Sequence, residues 1–146
     1  MLLVKLFIFL WQLPQNILGL LMVLVLRAKS TSYEIKRSDQ VQWIRVFDSP
    51  WNNAVSLGFF IIVDIKTRGP LTVLHEYGHC IQSRRLGPLY LIIVGIPSIL
   101  RNIYSRIFIN NKMNYGDAYD WYYSGYPEKQ ADKLAAIDRP KLGQQQ

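Results

Sequence analysis

Apolar residues fall along this chain in blocks with different rhythms. The first block, residues 1–26, reads MLLVKLFIFLWQLPQNILGLLMVLVL and carries one charge, Lys5. It is long enough to cross a bilayer core, which takes about 20 helical residues. Within it WQLPQN, 11–16, interrupts the pattern. Pro14 removes a helix hydrogen bond, and Gln12, Gln15 and Asn16 are costly in hydrocarbon. One kinked spanning helix and a hairpin of two short helices in one leaflet both fit. A signal peptide fits less well. Lys5 alone is a weak positive start, and Arg27-Ala28-Lys29 is no small-x-small cleavage site, so the segment is expected to be retained.

The second block has a shorter period. SYEIKRSD, QVQWIRVFD and AVSLGFFIIVDI are rich in β-branched and aromatic residues with imperfect alternation, punctuated at Ser38-Asp39 and over 48–53. They predict two or three short antiparallel strands. Next comes LTVLHEYGHCIQSRR, bounded by Gly69-Pro70 and Leu86-Gly87-Pro88. Proline suits a first helical position, glycine a helix end, and Arg84 and Arg85 a last turn, so this is a helix. LGPLYLIIVGIPSIL, 86–100, is apolar but too short to span simply. A re-entrant or interfacial segment and a buried core segment both remain open. A final helix begins at Pro127, PEKQADKLAAID, and residues 139–146 are expected to fray. The expected architecture is α+β. It has a membrane-anchoring segment over 1–29, a small antiparallel sheet and two packed helices over 30–138, and a disordered tail over 139–146.

Charge alters this picture in one respect. The net charge of +7 would point to nucleic acid in a soluble protein. Here the basic residues flank apolar runs (Arg27 and Lys29, Arg84 and Arg85, Arg101 and Arg106), which favours an anionic membrane surface. No nucleic-acid-binding signature appears. If residues 1–26 span, the basic residues that follow place the remainder in the cytoplasm. The single cysteine, Cys80, excludes an intrachain disulfide and a multi-cysteine zinc site.

The candidate chemistry lies in HEYGH, 75–79, which contains both histidines of the chain. On a helix His75 and His79 lie about 40° apart on one face, and Glu76 about 60° from His79. Two imidazoles can then grip one zinc ion, while the glutamate takes a proton from a water that the metal acidifies. HExxH arises by chance in roughly one chain of this size in a few hundred. A third ligand must be carboxylate, since no third histidine exists. The downstream choices are Asp117, Asp120, Glu128, Asp132 and Asp138. Glu128 and Asp132 stand one turn apart on the last helix. Glu128 can bind zinc while Asp132 reaches the free ring nitrogen of His75. The competing reading is a solvated acidic pair flanked by Lys129 and Lys133.

HEYGH followed by EKQAD resembles the gluzincins, the thermolysin-like zinc metallopeptidases, over two helices and about a fifth of the chain. Pro127 stands where those enzymes carry an asparagine before the glutamate. The chain is far shorter than a secreted thermolysin and looks more like a minimal, membrane-associated relative, such as small bacterial proteins with a similar HEYGHxIQSRxLGP stretch. The resemblance implies a minimal zincin-like fold with Zn2+ held by His75, His79 and Glu128. It implies Glu76 as general base, Asp132 as partner of His75, and a peptide or protein substrate at a bacterial inner membrane. Gluzincins also stabilise the oxyanion with a Tyr or His. Six aromatics crowd Tyr115 to Tyr126, a composition suited to a membrane interface or a substrate groove. The candidate donors are Tyr122, Tyr123 and Tyr126, with Tyr126 standing for them in the expected site.

Three functions compete: a membrane-associated zinc peptidase, a zinc hydrolase of another substrate class, and a structural protein whose zinc staples a thin fold. The first expectation concerns attachment. Full-length protein should resist carbonate extraction from membranes, whereas a chain begun at Ser30 should be largely released. Release of the full-length chain would refute it.

Overall fold

The computed structural model describes residues 2–37, 40–66 and 69–143. The Ser38-Asp39 punctuation, Arg68 and the terminal glutamines lie outside them. The fold is α+β, with six α-helices and one four-stranded sheet among the described residues.

Strands β1 (Lys29–Arg37), β2 (Gln40–Ser49), β3 (Val55–Leu57) and β4 (Phe60–Asp64) lie in the order β1-β2-β4-β3. β1 and β2 form an antiparallel hairpin, with Lys29 opposite Asp48. The run AVSLGFFIIVDI is two strands, because the chain turns at Gly58-Phe59 and β3 pairs antiparallel with β4. The expected all-antiparallel sheet is instead mixed, since β4 runs parallel to β2, with Val46 opposite Ile61. The reason lies in the composition of β4. Ile61, Ile62 and Val63 are all buried, so both faces of the strand are covered. Such a strand belongs inside a sheet, which leaves short β3 at the edge.

Helix α3 (Pro70–Leu86) carries HEYGH. Its start and end fall at Gly69-Pro70 and Gly87, as their chemistry predicts. Gly87 has φ +53° and lies under the Trp11 indole, which a Cβ would strike. Val73, Tyr77 and Cys80, spaced by four and three residues, pack on Val46, Ile61 and Val63 of the sheet. The opposite face, at Gly78, meets α6 (Glu128–Leu134). A Cβ on Gly78 would lie 2.1 Å from the Ala131 carbonyl oxygen. The glycine of HEYGH therefore sets how closely the two helices approach.

The N-terminal block forms α1 (Leu2–Trp11) and α2 (Leu13–Val25), bent by 81°. The polar residues at the bend are not exposed to hydrocarbon. Gln12, Gln15 and Asn16 are buried against the body of the protein. Gln12 accepts from Ser83 Oγ at 2.8 Å, Gln15 donates to the Gly87 carbonyl, and Asn16 accepts from Phe59 N–H at 2.9 Å. Each such bond nets about 1 kcal/mol, and leaving the amides unpaired would cost more. The block is thus docked on α3 and on the β3–β4 turn.

After α3 the chain forms one helical run, Leu91–Ile109, centred on α4 (Ile96–Tyr104) between two wider, π-type turns. It is long and apolar enough to cross a membrane, and only 17% of it is buried. The buried-core reading of 86–100 therefore does not hold. Helix α5 (Tyr115–Ser124), capped by the Asn114 side chain, leads into α6. The last helix ends at Leu134, short of the expected Asp138. Ala136, at φ +55°, turns the chain back, with Ala136 N–H on the Lys133 carbonyl and Ile137 N–H on that of Asp132. Of the tail that begins at residue 139, the described part as far as Gly143 lies against the body. Arg139 bonds Asp132, and Leu142 and Gly143 N–H groups bond the Asp120 carboxylate.

Gly78→Ala should push α6 away from α3 and lower stability by about 1–3 kcal/mol, the usual cost of overpacking. Denaturant midpoints of the two proteins would measure it. An unchanged midpoint would contradict the close approach.

Candidate metal centre

The HEYGH face of α3 and the first turn of α6 converge because Gly78 lets the two backbones touch. His75 and His79 lie one turn apart, and Glu128 opens α6 opposite them. Glu128 Oε2 is 2.9 Å from His75 Nε2 and 3.1 Å from His79 Nε2. All three residues are buried, Glu128 completely. Asp132, one turn further along α6, places Oδ1 2.7 Å from His75 Nδ1.

The protons of this cluster can be located from its partners. Gln82 Nε2 donates to the Pro127 carbonyl and to Gln130 Oε1, which turns Gln82 Oε1 toward His79 Nδ1 at 2.7 Å. His79 Nδ1 must therefore donate. His75 Nδ1 likewise donates to the Asp132 carboxylate. In neutral rings both Nε2 atoms then carry lone pairs, aimed at a carboxylate oxygen that also has only lone pairs. Three acceptors cannot share a buried point without a cation between them. The ligand atoms lie within 4.8 Å of one another, so one metal ion can be held by all three. Glu128 Oε1 accepts from Ser98 Oγ at 2.6 Å, which leaves Oε2 to the histidines.

The charges say the same. Burial opposes a charge on His75, but the Asp132 and Glu128 carboxylates outweigh it and hold its pKa up at about 9. Burial would raise the pKa of Glu128, yet the two histidines hold it well below the usual carboxylate range. Burial is likewise outweighed at Asp132, which Arg139 and His75 keep low. The site draws in positive charge, as a proton or as a metal.

Glu76 is buried on the β3 side of α3. Ser56 Oγ lies 2.6 Å from its carbonyl oxygen and 2.9 Å from Oε2, donating its one proton to either. Tyr90 holds this strand by donating to the Ser56 carbonyl at 3.1 Å. Among the tyrosines, Tyr123 sets its ring edge-on to His75, with centroids 5.2 Å apart. Tyr126, expected as a site donor, is otherwise engaged. Its hydroxyl donates to the Ile93 carbonyl at 2.8 Å. Pro97 has no N–H for that carbonyl, four residues before it, and the tyrosine takes its place. Asp117 pairs with Asn114, and Asp120 holds Leu142 and Gly143, so neither joins the cluster.

Arg139 completes the surroundings. Its Nε and one terminal nitrogen lie 2.7 and 2.8 Å from the two Asp132 oxygens, the other bonds the Tyr119 hydroxyl, and the guanidinium lies 3.5 Å from the Tyr123 ring centroid. Asp132 is thus fixed from both sides. Sequence reasoning missed Arg139, Gln82, Ser56 and Ser98. Gln82 was within reach, because it lies three residues after His79 on the same face. The others arrive from distant segments and carry no local signal. Comparison with protein-family models, curated proteins and solved structures finds no match to this chain.

Metal binding should be pH-dependent in a definite sense. Without metal, His75 keeps a proton up to about pH 9, against an ordinary value of 6.5. A raised pKa contributes stability that is complete below about 6.5 and lost as pH rises through about 9. A metal ion must displace that proton, so its affinity should climb with pH by up to about tenfold per unit below about 9 and then level off. Chelator competition at several pH values would read it, and a flat profile would contradict the protonation scheme.

Proposed function

We propose that this chain is a membrane-associated zinc metallopeptidase of gluzincin type. The observation that carries the proposal is the convergence of His75 Nε2, His79 Nε2 and Glu128 Oε2 in a buried cluster whose other ring nitrogens are committed as donors. Two imidazoles and one carboxylate form a donor set suited to zinc with a position left for substrate. Among the described residues no fourth His, Cys, Asp or Glu joins them. A structural site would close that position, so the catalytic reading is favoured over a staple.

A zinc ion held there supplies Lewis acidity that polarises a carbonyl and acidifies water. The rest is done by side chains. Glu76, oriented by Ser56, receives a proton on its carboxylate and returns it to the leaving amine. Asp132 and Gln82 accept the Nδ1 protons of the two histidines and keep both rings aimed. Arg139 keeps Asp132 ionised and in place. Tyr123, whose ring lies on His75, replaces Tyr126 as the proposed donor to the oxyanion. The substrate is a peptide or protein, reached from the cytoplasmic side of a bacterial inner membrane to which residues 1–29 attach the enzyme.

Glu76→Gln should keep about one zinc per chain and lose hydrolysis of a peptide library by about 10²–10⁴-fold, because it removes the base and no ligand. Glu128→Ala should lose the metal itself. Wild-type turnover by Glu76→Gln would sink the mechanism. Zinc-loaded wild type that cleaves nothing would favour the structural staple.

A further inference from the structure

A helix on the surface of a soluble protein turns polar residues outward and apolar residues inward. The Leu91–Ile109 run does the reverse. Between its ends, Ser98, Arg101 and Ser105 point into the protein. Ser98 bonds Glu128, Ser105 is buried, and the Arg101 guanidinium bonds the carbonyls of Trp121 and Tyr122 and stacks on the Trp121 ring at 4.0 Å. Most of its apolar side chains point out, with Ile92 at 64%, Ile99 at 61% and Ile107 at 53% exposed, while Val94 and Ile109 pack inward. The carbonyl that Pro97 frees within this run is not left to solvent either, since Tyr126 donates to it. An inverted helix with its backbone satisfied from within is built for a medium that is not water.

We infer that Leu91–Ile109 is a second membrane-embedded element, facing lipid directly beside the metal centre. Three observations favour a bilayer over a second copy of the chain. At about 1.5 Å per residue, and less in its π-type turns, the 19-residue run is at most about 29 Å long, near the hydrocarbon thickness of about 30 Å. Exposed cations stand near its ends, Arg84 and Arg85 before it and Arg106 and Lys112 in and after its last turn, as anionic headgroups would select. The N-terminal helices have the same inverted polarity, burying Gln12, Gln15 and Asn16 while exposing Phe7, Leu10 and Leu21. A dimer interface would require neither the matched length nor the repetition in another element.

The consequence deepens the proposed function. Ser98 is on this helix and bonds the third ligand, so the metal centre is held at the lipid boundary, where membrane-held polypeptide is the nearest substrate. This consequence rests on the peptidase reading, but the lipid contact does not.

The test uses full-length chain in vesicles of phosphatidylcholine with about a quarter phosphatidylglycerol. Ile92→Cys, Ile99→Cys and Ile103→Cys would each carry an environment-sensitive fluorophore, with Lys133→Cys on the outer face of α6 as the aqueous reference. The native Cys80 is 3% exposed and stays unlabelled. The three labels should shift to the blue, be quenched by acyl-chain nitroxides and lose quenching by iodide, while the Lys133→Cys label does the opposite. Iodide quenching equal to the reference, in protein still bound through its N-terminal helices, would overturn the inference. So would labels shielded from both quenchers that quench one another, the signature of a second copy. Neither readout involves zinc or hydrolysis, so this inference and the peptidase reading can fail separately.

Discussion

Glu128 is a fully buried carboxylate, and a charge in that position must be compensated where it stands. Almost every feature of the central fold serves that requirement. The two histidines of α3 face it, Ser98 occupies its second oxygen, and Asp132 and Arg139 extend the charge alternation outward. Removing one partner would leave an unmatched charge in a dry site, at a cost of several kcal/mol. The alternation of carboxylate, imidazole, carboxylate and guanidinium is what makes the cluster rigid. Rigidity is what a metal site needs, because ligand atoms must stay in register while the coordination changes.

The helices that hold this alternation together meet at a close backbone contact. Gly78 permits contact between α3 and α6, and the tight turn after Leu134 returns the chain so that Arg139 meets the carboxylate one helix turn before the turn begins. That turn places Ala136 at positive φ, a conformation costing an alanine about 1–2 kcal/mol. The two hydrogen bonds of the helix end and the buried Arg139–Asp132 pair offset it. Local strain is thus tied to the surroundings of a ligand, not to a surface loop.

The outer elements follow a second rule. α2 and the Leu91–Ile109 run turn Gln15, Ser98 and Arg101 toward α3, α6 and α5 and most of their apolar groups away from the body. The amides of Gln12 and Gln15 and the hydroxyl of Ser98 therefore do two things at once. They pair polar groups within the protein, and they fasten the apolar helices to the helix or carboxylate that forms the candidate metal centre.

What the sequence by itself determined was local. HEYGH on a proline-started, glycine-ended helix, the spacing of Glu128 and Asp132, and the apolar N-terminal block were all legible, because each is written within a few turns of one segment. Helical periodicity alone puts His75 beside His79 and Glu128 beside Asp132. What only the tertiary structure decided was how separated segments meet. β4 lies between β2 and β3 because three adjacent buried residues need cover on both faces, a fact about the whole sheet. Tyr126 is drawn away from the His75–His79–Glu128 cluster by the carbonyl of Ile93, some thirty residues earlier, which Pro97 leaves without its helical donor. The polar residues that made WQLPQN look unfit for a membrane segment turn out to be its docking bonds. Ser98 and Arg139 reach the site from segments with no motif of their own. A pattern within one helix is set by backbone geometry, whereas a contact between distant segments is set by which buried polar groups would otherwise go unpaired, and no single segment carries that information.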